Sequence, residues 1–225
     1  MFKNMKVSVR LGLGFGVVLA LFAFVSVVAY SNIHGLNAQL NDIVYDKFPK
    51  TVWSNAILDH LNVITRALNN ALLSPEPAQI EGEFKRVGEA RAQITENLAR
   101  LEQTIKHDKG KALLKGLEEG RGKYTLAQDT LLTLLREGKH EAAKTYLLTE
   151  ARHTQGVYVE AIRALLDYQE ALMHATGQEA ETRSSRTKSI VLIAAGCAGV
   201  LGVLIACWIT RNVRRQLGGE PAYAA

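Results

Sequence analysis

The chain has 225 residues, of which 48% are hydrophobic and 22% charged, with a formal net charge of +5 and two cysteines. The charge sits at the ends: Lys3, Lys6 and Arg10 at one, Arg211, Arg214, Arg215 and Glu220 at the other, while residues 31–189 carry 21 basic and 21 acidic groups. A neutral middle excludes a nucleic-acid surface, and cysteines confined to Cys197 and Cys207 exclude a disulfide framework in that middle.

In chain order, residues 1–10 form a basic start, and Leu11 to Tyr30 contain no charge. At about 1.5 Å per residue such a helix covers roughly the 30 Å of a bilayer core. A cleaved signal peptide is the rival reading, given the basic start and the small residues Val28, Ala29 and Ser31. The run is long for a signal core and helical periodicity continues out of it, so an uncleaved anchor over 11–30 is expected. A second uncharged run, Ile190 to Thr210, predicts a second span over 190–210. Basic residues flank both runs on the outside, which by the positive-inside rule predicts two cytoplasmic ends (1–10 and 211–225) and an exported segment, 31–189. Gly12/Gly16 and Ala195/Gly199 are spaced as small-residue pairs that let membrane helices approach closely; glycine is also simply common there.

Residues 31–189 predict an all-α, up-down-up-down four-helix bundle, the fold class adopted here. Turn signals at Ser74–Pro77, His107–Gly110 and Glu137–Lys139 separate apolar periods of helical spacing. The first helix leaves the membrane and runs to about Leu73, with Ile57, Leu61, Ile64, Leu68 and Leu72 as its seam. Pro49 should kink or break it. The second covers Ala78 to about Lys106, the third about Lys111 to Arg136. The fourth starts near Glu141 and meets no breaker before the second span. About 159 residues suffice for one packed domain.

With steps of four and three, each seam of the last three helices is apolar apart from a polar interruption. The second reads Ile80, Phe84, Val87, Arg91, Ile94, Leu98, Leu101, Ile105. The third reads Leu114, Leu117, Arg121, Tyr124, Gln128, Leu131, Leu135. The fourth reads Leu147, Ala151, Thr154, Tyr158, Ala161, Leu165, Tyr168, Leu172. Counted from the turns, Arg91, Arg121, Tyr124, Thr154 and Tyr158 fall within a band of roughly 6 Å. A buried arginine needs a counter-charge, and its fork matches a carboxylate, so the expected site is a pocket for a small carboxylate between the helices. Two alternatives stand beside it. The third seam also fits Leu113, Leu117, Gly120, Tyr124, Ala127, Leu131 and Leu134, which lets Arg121 snorkel to solvent. Arg91 also has acidic residues on neighbouring helices to pair with. Arg66, off the first seam, faces solvent or a partner chain, and offers a ligand site at a dimer interface. Six scattered histidines have no metal-ligand spacing, and no phosphate loop or nucleophile elbow occurs. No cofactor, metal or enzymatic activity is expected.

These features together resemble the amino-terminal half of bacterial methyl-accepting chemotaxis proteins. The likeness is carried by MFKNMKVSVRLGLGFG at the start, Arg121-x-x-Tyr124, the run from Tyr158 to Gln169, and ITRNVRRQLGGEPAYAA at the end, which is similar to the beginning of a HAMP linker. The resemblance implies a homodimer in the bacterial inner membrane that senses small molecules in the periplasm. It implies two modes of ligand binding: helix-one arginines at the dimer interface, for which only Arg66 corresponds, or organic acids inside one bundle, for which Arg91, Arg121 and Tyr124 correspond. It also implies a chemotaxis kinase and adaptor engaged through a HAMP unit and a methylated coiled coil. Those are absent from these residues, so a fragment, or a product unable to signal alone, is expected. The input half of a sensor histidine kinase or a cyclase shares this plan, and a non-sensing membrane scaffold is the alternative of another class. Transmission is expected through helix four, which has no proline or glycine-pair break from Glu141 to Thr210.

Overall fold

The computed structural model describes residues 7–217. Lys3, Lys6 and the turn expected at Gly218–Pro221 lie outside the described residues. Six α-helices follow in order: α1 (Val7–Asn41), α2 (Phe48–Leu73), α3 (Pro77–Thr104), α4 (Asp108–Arg136), α5 (His140–Tyr146) and α6 (Arg152–Leu217). Two π-helical turns, Asp42–Lys47 and Leu147–Ala151, join α1 to α2 and α5 to α6. Among the described residues there is no strand. The chain divides into two compact units, one of residues 41–176 and one of residues 1–40 with 177–225.

The first unit is a four-helix bundle, with α5, its π turn and α6 acting as one helix. Paired contacts run in opposite directions along each neighbouring pair. Asn70 bonds Glu83 and Trp53 lies under Arg100 for α2–α3; Glu81 meets Arg136 and Thr95 meets Arg121 for α3–α4. Gly120 abuts Tyr158 and Gly110 abuts Tyr168 for α4–α6, and Thr65 bonds Gln155 while Thr51 meets Met173 for α2–α6. This is the expected antiparallel ring. Its core is a column of Ile57, Leu61, Ile64, Leu68, Leu101, Leu117, Leu131, Ile162 and Leu165, each at most 1% exposed. Burying such side chains stabilises the fold by about 2 kcal/mol apiece.

Local chemistry sets the turns. Pro77 occupies the start of α3, where a missing N–H costs nothing. Gly138 takes φ 71° after α4. Its N–H bonds Leu135 and that of Lys139 bonds Leu134, so a Schellman motif closes the helix.

Pro49 does not end the helix, as one expectation had it; it changes the hydrogen-bonding pattern ahead of it. A proline ring collides with the carbonyl four residues back. The chain widens to π geometry over Asp42–Lys47, with Phe48 N–H bonding Ile43 O, and α2 restarts with Pro49 in its first turn. Helix four runs on without a break, but it too contains a π turn, which the sequence did not announce. Ala143 and Ala151 are both buried although eight residues apart, a spacing that regular α-helix would rotate by about 80°. The wide turn absorbs that mismatch.

The second unit contains the two uncharged runs. Both belong to helices long and apolar enough to cross a membrane, and none of the apolar window of the second is buried. Phe22, Val27, Leu192 and Val203 face outward, unlike the core of a soluble helix. Within this unit close approaches fall at Gly14, where a Cβ would stand 2.6 Å from Ile205 Cγ2, and at Gly35, where it would stand 2.7 Å from Arg183 Cζ. The glycines of the two anticipated pairs, Gly12, Gly16 and Gly199, have no atom in reach of a Cβ. Asn32 donates a hydrogen bond to Thr187.

Candidate functional site

The core positions of α3 and α4 leave two arginines on the flank. Ala90 holds the seat anticipated for Arg91, and Gly120 the seat anticipated for Arg121. A small residue lets the helices close, and a guanidinium one position on lies in the α3–α4 seam with its head toward water. Arg91 Nε donates to Gln128 Oε1 at 2.7 Å, Nη1 to Asp129 Oδ1 at 2.8 Å, and Nη2 to the Thr125 carbonyl at 3.4 Å. Asp129 is thus the neighbouring-helix acid that the sequence left open as a partner. Arg121 Nη2 donates to Thr95 Oγ1 at 2.5 Å.

The third seam combines both registers: Leu114, Gln128 and Leu135 come from one, Gly120 and Ala127 from the other. In α6 the seam beyond Tyr158 passes through Ile162 and Gln169, in place of Ala161 and Tyr168.

Tyr124 and Tyr158 both lie in the core, each 2% exposed, with ring centroids 6.3 Å apart and planes tilted by 40°. Burial pushes the Tyr124 phenol above its ordinary pKa, opposed by a hydrogen bond with Thr65, the positive charge of Arg91 and a hydrogen bond with Gln128. Burial likewise raises Tyr158, opposed by the charge of Arg121. Among the described residues the Tyr158 hydroxyl has no hydrogen-bond partner. Thr154 is buried, and its hydroxyl donates to the Glu150 and Ala151 carbonyls at 2.9 and 3.1 Å. Arg66 is exposed on α2 and makes no ion pair among the described residues.

The structure therefore brings Arg91, Arg121, Tyr124, Tyr158 and Thr154 to neighbouring turns, and leaves Arg66 on the outer surface. It adds groups not anticipated as site residues. Gln155 Nε2 donates to Thr65 Oγ1 at 2.9 Å, and Thr65 donates to the Leu61 carbonyl. Arg91–Gln128 across α3 and α4 and Gln155–Thr65 across α6 and α2 are the two ends of a polar chain, with the buried Tyr124 phenol lying between them. Gln128 was visible as a polar seam residue. Thr65 and Gln155 each stand one place off a seam, where a polar residue is unremarked. A groove of about 560 Å³ opens between α2 and α3 beside this layer, lined by His60, Val63, Arg86, Glu89, Ala90, Ala92 and Gln93. Among the described residues no cluster of three or more His, Cys, Asp or Glu could hold a metal.

A family model described as a four helix bundle sensory module for signal transduction matches residues 4–183. A search of curated proteins found no match.

Proposed function

The chain belongs to the family of four-helix-bundle sensory modules of methyl-accepting signal transduction, and from that premise we propose that it is a transmembrane chemoreceptor for a small organic acid. The family is a signalling module, not a catalytic one. In this reading residues 31–189 lie in the periplasm, 11–30 and 190–210 cross the inner membrane, and both ends are cytoplasmic. The receptor acts as a homodimer, and residues 211–225 begin the HAMP linker toward a kinase and adaptor.

The observation that supports it best is continuity. One helix, α6, carries Thr154 and Tyr158 at one end and the uncharged run 190–210 at the other. A change in how that helix packs against Tyr124 is inherited by the span, because a helix transmits displacement along its axis. The carboxylate engages Arg91 and Arg121. It competes with Asp129 for the first and with Thr95 for the second, and Tyr124, Thr154 and the unpartnered Tyr158 hydroxyl complete its hydrogen bonding. Arg66 serves the second mode, in which the ligand sits between two copies. Ligand then shifts the equilibrium only by its differential affinity for the two arrangements.

Calorimetry of the full chain in lipid nanodiscs against a panel of small carboxylates tests this, with Arg91→Ala, Arg121→Ala and Arg66→Ala as variants. Binding lost in the first two supports the intra-bundle mode, and binding lost only in Arg66→Ala the interface mode. Binding by no acid, or unchanged binding in all three, rejects the reading. Disulfide cross-linking along α6 that is indifferent to ligand would reject the transmission step.

A further inference from the structure

A second cleft of about 350 Å³ lies between α4 and the π turn of helix four. That is the size of a small-ligand site. Its α4 wall holds Lys123, Leu126 and Ala127, and its opposite wall Glu150, His153 and Val157. Leu126 is 69% exposed and Val157 40%, an apolar floor open to water. Lys123, Glu150 and His153 make no ion pair among the described residues. Three polar heads thus face one apolar-floored cleft uncommitted.

The order of these groups has chemical meaning. Gly120 abuts Tyr158 and the helices are antiparallel, so Lys123 stands level with His153 to Gln155, and Glu150 about one turn further along, beside Ala127 and Asp129. Five residues of helix separate the cationic and acidic ends by about 7 Å. A ligand with two carboxylates would set one against Glu150, and one with none would leave Lys123 unpaired.

We infer that this cleft binds a small ω-amino carboxylate, with its carboxylate on Lys123 and His153, its methylenes on Leu126 and Val157, and its ammonium on Glu150. The site is separate from the arginine seam, sharing only Thr154 with the residues proposed to hold the carboxylate there. Its wall is part of the helix that becomes α6, so an occupant touches the transmitting element at the wide turn. π turns are frequent at functional sites.

The test is calorimetry of the full chain in nanodiscs with three five-carbon probes: δ-aminovalerate, valerate and glutarate. δ-Aminovalerate should bind most tightly, with valerate about tenfold weaker for want of one charge-assisted hydrogen bond. Glutarate should be weakest at the Lys123-dependent site. Lys123→Gln should weaken δ-aminovalerate about tenfold, and Glu150→Gln should do the same while narrowing the gap to glutarate. Both cleft residues are exposed, and an unchanged circular-dichroism melt checks that the variants fold. No binding of δ-aminovalerate overturns the inference, as does glutarate binding as tightly with the same dependence on Lys123, or affinity indifferent to both cleft variants. Probe binding lost in the arginine variants and kept in the cleft variants would overturn it while supporting the arginine site. The reverse pattern would support the cleft alone.

Discussion

Gly120 of α4 lies so close to Tyr158 of α6 that a Cβ on residue 120 would stand 3.3 Å from the Tyr158 Cα. The obstacle is backbone, so it cannot rotate aside. Gly122, one residue past its neighbour, has open space where its Cβ would go. Alanine in place of an exposed helical glycine stabilises by about 0.5–1 kcal/mol. Gly122→Ala should therefore raise the melting temperature. Gly120→Ala should show no such gain, because the helices must part by a few tenths of an ångström, and Gly120→Val should cost about 1–3 kcal/mol. Thermal melts of the three variants check the order; a gain at 120 equal to that at 122 would mean the helices are not in tight contact.

Tyr158 adds a polar atom to this contact without a partner for it. Leaving a buried hydroxyl unsatisfied costs about 1–3 kcal/mol. Tyr158→Phe should therefore be neutral or stabilising at neutral pH, by up to about 1 kcal/mol. Tyr124→Phe removes a phenol that Thr65 and Gln128 stabilise and should destabilise by about 1 kcal/mol. Both phenols also act in alkali, since burial raises both. Burial raises the folded-state pKa of Tyr158, so above about pH 10 the unfolded chain loses that proton while the folded chain keeps it. Stability that is flat below that pH then falls as pH rises. Tyr158→Phe should flatten part of the fall in a pH series of denaturant melts; an identical slope would place the phenol in water.

Gln128 holds the polar chain together from a position only 2% exposed. Replacing it with leucine strips the partner from Arg91 Nε and leaves the neighbouring Tyr124 phenol in more apolar surroundings, and should cost about 1–3 kcal/mol. The Arg91–Asp129 pair is another matter. Its side chains are 26% and 54% exposed, and a solvent-screened pair contributes about 0–1 kcal/mol. Asp129→Asn should therefore change stability little while freeing Arg91 for an external carboxylate. Under the proposed function it should tighten acid binding. A denaturant melt for Gln128→Leu and calorimetry for Asp129→Asn check the two halves separately.

The helices, their turns and their antiparallel order were legible because each rests on local chemistry. Pro77 starts a helix, Gly138 ends one, and apolar residues recur at helical spacing between them. The seams were legible only to within one residue. A strict step pattern seats Arg91 where Ala90 packs, and the third seam fits Arg121 and Gly120 about equally well. Packing favours the smaller residue in both, since small residues let the backbones close and long cations lie beside them. The polar chain was harder still. Thr65 and Gln155 bond across helices far apart in sequence, a contact that no period within one helix encodes.

The π turn at Leu147–Ala151 has a different kind of consequence. It holds Ala143 and Ala151 on the buried face by taking up one extra residue. Removing one residue there should convert the wide turn to α-helix, leaving both alanines seven apart and facing the core to within about 20°. Deletion of the exposed Thr149 should therefore leave a cooperative melt near that of the parent chain. Deletion of the exposed Glu160, in the regular part of α6, offers no such remedy. It rotates one side of the helix by about 100° against the other, so either Tyr158 or Ile162 leaves the core. Circular-dichroism melts of the two deletions decide the matter. A Thr149 deletion as damaging as the Glu160 deletion would mean that the turn stores no surplus residue. A tolerated Thr149 deletion that also abolished δ-aminovalerate binding would tie the wide turn to the cleft, since Glu150 would then be swung away from Lys123.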